Sequence, residues 1–343
     1  MLEAATRTPD ATRLNAEMLL LRKRLTADGV FTARSRDHVL CVLQLVLLFV
    51  GGYALLATGN PWAAGLGALL LSLYYPQSAW LGHDLGHGQV FSNRRLNALA
   101  MGLMAWTQGL SSKWWKAKHG KHHAHPNAYR LVEGKPVAID EDIATAPLLV
   151  WDLALLTDEA RRKLAWWLPL QKYALAPLLL LARINWSAAG VRHGIRNGNP
   201  MEVAGILAHY AATFALALHL WPGEPWQAVT WFILVQLMGG FMLGLVFILN
   251  HSGREVYPED NGYGFFDAQV RTTRNVNQNW LADWFTGGLN LQLEHHFFPN
   301  LPRHRLREVV AESRRIVEQC GFHYESLGFF AACRITWASL PSR

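Results

Sequence analysis

Charged residues and cysteines are both scarce in this sequence. Asp, Glu, Lys and Arg together make up only 17% of its 343 residues, whereas hydrophobic residues make up 51%. This composition is unusual for a soluble protein of this length and favours a membrane protein. The three cysteines, Cys41, Cys320 and Cys333, form no CxxC pair and no even set. They therefore argue against a disulfide framework and favour a reducing compartment.

The sequence also lacks a long basic stripe and a secretory signal. Its net charge of +7 is not gathered in one place, which suits anionic lipid headgroups or an acidic redox partner better than nucleic acid. The N-terminus is polar at first and then amphipathic, unlike a signal peptide. We therefore predict a cytoplasmic N-terminal segment with an amphipathic helix over residues 1–36. No nucleic acid partner is expected.

Four segments are apolar and long enough to cross a membrane as helices of about 20 residues. They are residues 39–58, 61–81, 201–221 and 226–249. The turns GN and PGEP join them into two hairpins, and neither turn contains Lys or Arg. Basic residues instead precede both hairpins. By the positive-inside rule, the turns face outside and both chain termini lie in the cytoplasm.

Two other apolar segments, residues 96–110 and 147–182, are predicted to lie in or dip into the membrane interface. The alternative for residues 164–182 is a true crossing, since this part is long enough but contains a glutamine, a lysine and two prolines. Residues 251–343 are predicted to form a cytoplasmic helical cap. Within this cap, residues 305–320 have the pattern of an amphipathic helix.

Histidines occur in groups whose spacing suits metal binding. The grouped residues are His83 and His87 in HDLGH, His119, His122 and His123 in HGKHH, His251 in LNHSG, and Gln292, His295 and His296 in QLEHH. Offsets of three and four residues place side chains on one helix face, one turn apart. Imidazole is the commonest protein ligand of metals. The recurrence of such groups on the predicted cytoplasmic side indicates a shared metal site, whereas the other seven histidines fit capping or solvated positions.

The metal hypothesis also constrains the topology. With four spans, His83, His119, His251 and His295 all lie on one membrane face. A fifth span at residues 164–182 would separate the first two groups from the last two. A shared site therefore requires four spans, in agreement with the distribution of basic residues.

The choice of metal follows from the ligand set. Eight imidazoles and one amide exceed the four positions of a tetrahedral zinc site, and no thiolate takes part. Nitrogen-rich ligation with room for two ions suits iron, which changes its oxidation state and activates oxygen. We therefore predict two iron ions as cofactors and O2 as a co-substrate.

The order HDxGH, HxxHH and QxxHH resembles that of the membrane fatty acid desaturases, most closely the front-end (acyl-lipid) branch, whose third box begins with glutamine. The resemblance runs from about residue 70 to 312 and includes WWKAKHGKHHAHPN, DEDI, LNHSG and QVRTTRNVNQNWLADWFTGGLNLQLEHHFFPNLPRH. It implies an all-α integral membrane fold with one desaturase domain over residues 37–343. It also implies an oxidoreductase that introduces a C=C bond into an acyl chain carried on a lipid or as a thioester.

The resemblance assigns the iron ligands to the eight grouped histidines. Gln292 takes the position that histidine fills in other desaturase branches. Its carbonyl oxygen either binds iron directly or only holds a water, and both possibilities stay open.

The supply of electrons is a departure from the family pattern. Many front-end desaturases carry a fused cytochrome b5 domain with an HPGG motif, but this sequence has no HPGG, and its roughly 36 N-terminal residues are too few for that domain. A separate donor is therefore expected, either a ferredoxin or a free cytochrome b5. Lys113, Lys116, Lys118 and Lys121 either dock such an acidic carrier or reach toward lipid phosphates.

Two further sets of residues are candidates for supporting roles. Those expected to orient imidazoles are Asp84, Asn127, Asn250, Asp283 and Glu294, with helix capping or solvent exposure as the alternative. Those available for an apolar acyl channel are Tyr74, Tyr75, Met104, Trp106, Phe241 and Met242, with ordinary helix packing as the alternative.

Three other functions compete with acyl desaturation. A membrane hydroxylase, acetylenase or carotenoid oxygenase would use the same scaffold with a different fate for the substrate radical. A zinc hydrolase would need fewer histidines and a carboxylate base, and a metal carrier would have its ligands strung along the spans. The sequence leaves open the position and geometry of the double bond and the carrier of the acyl group.

Overall fold

The computed structural model describes residues 8–276 and 279–342. Residues 1–7 of the predicted N-terminal segment lie outside the described residues, as do Arg343 of the predicted cap and Asn277 and Gln278 of the longest quoted motif. The described helices are α1 (Ala11–Ala27), α2 (Val39–Ala57), α3 (Pro61–Gly86), α4 (Arg94–Gln108), α5 (Ser112–Ala124), α6 (Asp158–Leu164), α7 (Gln171–Leu180), α8 (Ala182–Arg196), α9 (Pro200–Leu220), α10 (Pro225–Leu249), α11 (Phe265–Thr272), α12 (Trp280–Thr286), α13 (Gln292–Phe297), α14 (Leu306–Gln319) and α15 (Phe329–Ser339).

The chain is mostly helical, but the prediction of an all-α fold missed several short strands. They are β1 (Ala128–Val132), β2 (Lys135–Ala138), β3 (Tyr257–Pro258), β4 (Asn275–Val276) and β5 (Ser326–Leu327). β1 pairs antiparallel with β2 and parallel with β3, and β4 pairs parallel with β5. All five strands lie in the connections between helices. Pairing satisfies the backbone N–H and C=O groups of these connections, which no helix ladder serves.

The helices α2 and α3 form one hairpin and α9 and α10 form another, at the positions of the four predicted spans. The Asn60 side chain accepts hydrogen bonds from the backbone N–H groups of Trp62 and Ala63 and so caps the start of α3. Glu224 forms a capping box at the start of α10. A Cβ added to Gly59, which has a positive φ of 69°, would lie 2.7 Å from Cγ of Pro222. The turns of both hairpins therefore lie side by side at one end of the bundle.

Three helical segments are long and apolar enough to cross a membrane: Ser35–Ala57, Pro200–Leu220 and Pro225–Leu249. The helices α7 and α8 are long and apolar enough only when taken together, and the chain bends by 69° between them. The described residues thus offer three spans, or four if the bent pair counts as one. This supports a membrane protein, while the four predicted spans and their orientation stay a prediction.

The predicted second span, residues 61–81, is not among those three segments although it is helical. It lies within α3, whose 26 residues are long enough to cross. Gln77 and Ser78 are polar residues within this helix, and both are buried together with Pro76. Gln77 donates to the carbonyl oxygen of Trp284 at 2.9 Å, and Ser78 donates to that of Tyr75 at 3.0 Å. α3 packs between α2, α4 and α10, and the side chains of Gln77 and Ser78 have hydrogen-bond partners inside the bundle.

The two predicted interfacial segments are also helical in part. Residues 96–110 fall largely within α4, and residues 147–182 contain α6 and α7. The chain bends between α7 and α8, where the bend lies against α10. A Cβ added to Gly240 of α10 would lie 2.4 Å from the Leu180 carbonyl oxygen. Only glycine allows this close approach of the two backbones.

A second apolar core lies between the N-terminal and C-terminal helices. Leu14 and Met18 of α1 are fully buried, as is Val317 of α14. An ion pair between Arg24 and Glu312 links the same two helices. The amphipathic helices expected near the N-terminus and at residues 305–320 are therefore present and pack against each other. Their location on the cytoplasmic side stays a prediction.

Candidate metal centre

The grouped histidines lie on four separate elements that meet at one place. His83 is in the last turn of α3 and His87 directly follows that helix, while His251 follows α10. α5 carries three of the histidines, and α13 carries two together with Gln292. All of these side chains are buried except that of His87, which is half-buried. The fold therefore brings these histidines and Gln292 close together.

The imidazoles divide into two groups, in each of which one nitrogen per residue lies within 4.8 Å of the others. Site A consists of His83, His87, His119, His123 and His295. Site B consists of His122, His251 and His296. α5 contributes to both sites because its histidines at positions 119 and 123 face one way and His122 faces another. The two sites are adjacent, since the rings of His123 and His296 stack with centroids 4.4 Å apart.

The nitrogen atoms in site A are spaced like the ligands of an ion. The Nε2 atom of His119 lies 2.9 Å from Nε2 of His87 and 3.0 Å from Nε2 of His123. The Nε2 atoms of His123 and His295 are 3.1 Å apart. Two nitrogens that each lie about 2.1 Å from one ion, at a right angle, are about 3.0 Å apart. The spacing therefore fits a shared metal ion.

In site B, the amide of Gln292 completes the ring of donors. Its Nε2 atom lies 3.2 Å from Nε2 of both His251 and His296. Its Oε1 atom is buried and has no hydrogen-bond partner among the described residues. A half-turn of the amide exchanges the two atoms and would present the carbonyl oxygen to site B. Gln292 is thus close enough either to bind an ion or to hold a water.

The charge state of the imidazoles also suits metal binding. Burial, reinforced by the neighbouring imidazoles, lowers the pKa of His87, His119, His123 and His295 in site A well below the usual 6.5. In site B, burial likewise lowers the pKa of His251 and His296. A neutral imidazole has a free lone pair on one nitrogen, which is the form that binds metals.

His122 of site B is an exception. Burial disfavours its charged form, but the charge and hydrogen bond of Asp140 and the charge of Asp142 outweigh burial and raise its pKa. The Nδ1 atom of His122 lies 2.9 Å from Asp140 Oδ2 and 3.2 Å from Asp142 Oδ2. With Nδ1 held in this way, Nε2 is the nitrogen left for an ion.

The other two imidazoles of site B are oriented in the same way. His296 Nδ1 lies 2.7 Å from Oε1 of Gln269, and His251 Nδ1 lies 3.1 Å from the carbonyl oxygen of Thr272. The sequence reasoning did not assign Asp140, Gln269 or Thr272 to these roles. The acidic DEDI motif that begins at Asp140 was the available signal. Gln269 and Thr272 lie in α11 far from any histidine in the sequence and carried no comparable signal.

The five residues expected to orient imidazoles have other hydrogen-bond partners, although Asp84 also lies near His83. Asp84 bonds to His38 at 3.1 Å and to Arg303 at 2.5 Å, and it is 3.8 Å from His83 Nδ1. The Asn127 side chain donates to the carbonyl oxygen of His251, not to its ring, and that of Asn250 donates to Leu289. Asp283 is bound to Asn290 and Arg307.

Glu294, the fifth of these residues, is buried between two polar partners. It accepts hydrogen bonds from Tyr324 at 2.6 Å and from Asn275 at 2.8 Å. Burial raises its pKa to about 7, against the opposing effect of these hydrogen bonds. Its partners join α13 to β4 and to the residues before β5. Glu294 thus positions the helix that carries His295 and His296 without a hydrogen bond to either ring.

The residues present fit a transition-metal centre. The Nε2 atom of His83 and the Oε1 atom of Gln292 are buried without a hydrogen-bond partner among the described residues, and a metal ion would satisfy such atoms. A donor set of imidazoles and one amide suits iron among several transition metals. Both sites have enough donors for an ion, so two ions can be held side by side.

A cavity of about 640 Å³ reaches site B from the bundle. Its walls include His122 and His251 of site B and the apolar side chains of Leu178, Ile184 and Ile248. None of the six residues that the sequence offered for a channel lines it. Tyr74 and Trp106 line a different, more open groove. The helices α7, α8 and α10, rather than α3 and α4, therefore form most of the apolar wall next to site B.

Comparison with known proteins identifies the family. The sequence profile described as fatty acid desaturase matches residues 60–328. This range contains all the histidines of sites A and B together with Gln292. The chain belongs to the fatty acid desaturase family, and the predicted family is thereby confirmed.

Curated relatives carry desaturase names. The chain is 33% identical over 329 residues to the acyl-lipid (9-3)-desaturase of Physcomitrium patens, which covers 93% of this chain. It is 31% identical over 322 residues to the Delta(8)-fatty-acid desaturase of Euglena gracilis, a match that covers 89% of this chain and 73% of the relative. It is 28% identical over 331 residues to an acyl-lipid (8-3)-desaturase of a Thraustochytrium species, a match that covers 94% of this chain and 72% of the relative. The chain spans 60% of the length of the Physcomitrium protein. These names support an oxidoreductase acting on fatty acids and do not favour the hydroxylase or acetylenase alternative.

Proposed function

We propose that this protein is an oxygen-dependent di-iron desaturase that introduces a C=C bond into the acyl chain of a membrane lipid. One hydrogen is removed from each of two neighbouring methylene carbons, and O2, two electrons and two protons complete the formation of two waters. The observation that carries the proposal is that a cavity of about 640 Å³, lined in large part by apolar side chains, includes two imidazoles of site B in its wall, and that site A is adjacent to site B. An acyl chain in this cavity would lie against the metal centre.

The proposed ligands are the five histidines of site A and the three of site B, with Gln292 beside site B. An unactivated methylene has no acidic proton, so bound iron supplies the oxidation with O2 that side chains alone cannot. The Nδ1 atoms of site B are held by Asp140, Gln269 and the Thr272 carbonyl. These contacts keep each Nε2 atom directed at the ion position.

The remaining residues act on the substrate and its surroundings. The apolar walls of the cavity bind the acyl chain and exclude water from the metal centre. Lys118 lies at the cavity wall but is paired with Asp142 at 2.5 Å, and Lys121 is paired with Glu141 at 2.7 Å. Among the four lysines considered for docking an electron carrier, these two are therefore already engaged. We propose that a separate ferredoxin or cytochrome b5 delivers the electrons.

We also propose that sites A and B face the cytoplasm, with residues 37–343 acting as one desaturase domain and both termini on the same side. The convergence of histidines from α3, α5, α10 and α13 supports a topology in which all four groups reach one membrane face. The adjacent turns at Gly59 and Pro222 support the same arrangement at the opposite end. The basic residues that precede both hairpins favour the cytoplasm for the histidine end.

The proposal is tested by product analysis. The protein is expressed in a host that is given saturated and monounsaturated acyl chains of defined length, and the lipids are analysed by mass spectrometry. We expect an acyl product lighter by two hydrogen atoms, and purified protein that holds two irons. A product that gains one oxygen would instead indicate a hydroxylase. Purified protein that holds zinc and no iron would contradict the proposal.

A further inference from the structure

Two cavities meet at the metal centre and share part of their walls. The larger, of about 640 Å³, includes His122 and His251 of site B in its lining. The smaller, of about 40 Å³, includes His83 of site A. Two residues, Trp186 of α8 and Phe247 of α10, line both cavities. The two side chains therefore stand between the space next to site B and the space next to site A.

Trp186 and Phe247 belong to a row of aromatic side chains that crosses the bundle below the histidines. The rings of Trp186 and Phe247 meet edge to face with centroids 5.0 Å apart. Phe247 continues the row to Trp80 at 5.9 Å, and Trp186 continues it to Trp114 at 6.4 Å. Such edge-to-face contacts give each ring a preferred orientation. The two rings that line both cavities are thus held in place by their aromatic neighbours and narrow the passage between the cavities.

Trp186 is also tied to the metal centre through charged groups. Lys118 Nζ lies 5.7 Å from the centre of the Trp186 ring, within the range of a cation–π contact. The same amine is 2.5 Å from Asp142, whose other carboxylate oxygen is 3.2 Å from His122. One chain of contacts therefore joins the Trp186 ring to a ligand of site B.

The two cavities differ in polarity. The larger one has charged side chains at its wall, among them Arg192, which is exposed and forms no ion pair among the described residues. The smaller one is apolar apart from His83 and a few amide and hydroxyl groups, and its lining includes Met101 and Ala105 of α4. A lipid with a polar headgroup would therefore keep its head at the larger cavity and direct its methyl end toward the smaller one. Met101 is unbranched and adaptable, so its movement would deepen this apolar end.

Resting on the proposed desaturase function, we propose that Trp186, backed by Phe247, determines which carbons of the acyl chain face the iron sites. The chain enters along the larger cavity, passes Trp186 beneath the histidines and ends against Met101 and Ala105. The ring restricts the path of the chain at this point, so the carbons that pass it lie between sites A and B. Trp186 is in this sense a positioning residue that sets the site of the new double bond.

The path of the chain is tested without turnover. Metal-free protein in lipid nanodiscs is cross-linked by light to two acyl lipids, one with a diazirine at mid-chain and one with a diazirine at the methyl terminus. We expect the mid-chain probe to label peptides that contain Trp186 or Phe247, and the terminal probe to label α4 at Met101 or Ala105. Terminal labelling confined to Leu178, Ile184 and Ile248 would overturn the inference, because the chain would then never pass Trp186.

Substitutions test the effect on the product. We expect Trp186→Ala to broaden the distribution of double-bond positions relative to the parent protein while two irons are retained, and Trp186→Phe to preserve the parent pattern. Trp166→Ala is the matched control, since Trp166 is 68% exposed and lines neither cavity. An iron-loaded Trp186→Ala protein with the parent's product pattern would overturn the inference. If the parent made no alkene but gave the expected cross-links, the proposed function would fail and the assigned path would stand.

Discussion

Sites A and B are built from the same kind of residue but are supported in different ways. In site B, every imidazole has a polar partner on Nδ1, supplied by Asp140, Gln269 or the Thr272 carbonyl. In site A, the imidazoles pack against one another and against Trp115, whose ring stacks on His119 with centroids 4.2 Å apart. Site A thus relies on the number and packing of its rings, whereas site B relies on hydrogen bonds that fix each ring. Substitutions should therefore affect metal binding at the two sites in different ways.

Removal of a ligand should have the largest effect, and it should act on one site at a time. We expect His119→Ala and His296→Ala each to lower product formation by more than about 100-fold, since removal of even an outer partner of a ligand costs about 10- to 100-fold. Each variant should retain one iron of the two, as measured by metal analysis of purified protein. His125→Ala is the control, because His125 belongs to neither site. Loss of both irons in both variants would show that the two sites do not bind independently.

Removal of an orienting partner should affect site B more moderately. We expect Asp140→Asn to lower the iron affinity of site B by about 10- to 100-fold, because the neutral amide no longer stabilises the position of His122. Iron retention during dialysis against a chelator measures this effect. Asp142→Asn is the matched control and should have a smaller effect, since Asp142 is less buried and lies 3.2 Å from the ring. Equal losses in the two variants would contradict the assigned role of Asp140.

Some features of sites A and B could be predicted from the sequence, and others could not. Spacings of three and four residues indicated seven of the eight histidines, because a helix turn alone brings such side chains together. His251 stands alone in the sequence and was included because it directly follows the fourth apolar segment. The division into sites A and B could not be predicted, because it depends on which way α5 faces relative to α3 and α13. His119 and His122 are three residues apart in the sequence and yet belong to different sites.

The supporting residues were harder to predict than the ligands. Asp84 and Glu294 are each next to a histidine in the sequence, but neighbours on a helix point in different directions. Asp140 and Gln269 instead reach the histidines across tertiary contacts. The hairpins were predictable from apolar length alone. The polar half of α3 was not recognised as buried, since burial inside a bundle depends on the neighbouring helices.

The metal-free protein should become less stable as the pH is lowered. The pKa values of His87, His119, His123, His251, His295 and His296 are lowered by burial. These imidazoles stay neutral when folded and gain protons when unfolded, so the unfolded state binds more protons below about pH 6.5. The free energy of unfolding is therefore expected to decrease as pH falls through that value. His122 and Glu294 oppose this trend, because the pKa of each is raised in the folded state.

Thermal unfolding of the metal-free protein at about pH 8 and about pH 5.5 measures this dependence. The iron-loaded protein is the control and should depend less on pH in this range, since bound metal keeps the imidazoles deprotonated. A metal-free protein that is more stable at the lower pH would contradict the assigned charge states.

The smallest effect is expected from packing around site A. A Cβ added to Gly86 at the end of α3 would lie 2.5 Å from the Trp115 ring, which must then shift against His119. We expect Gly86→Ala to lower product formation roughly threefold, because a small displacement of a ligand disturbs the alignment of the reacting groups. The matched control is Gly120→Ala in α5, where a Cβ meets no atom within 4 Å. That variant should keep full activity and gain up to about 1 kcal/mol in stability, since alanine favours a helix over glycine. Equal activity in the two variants would mean that the contact between Trp115 and His119 does not support site A.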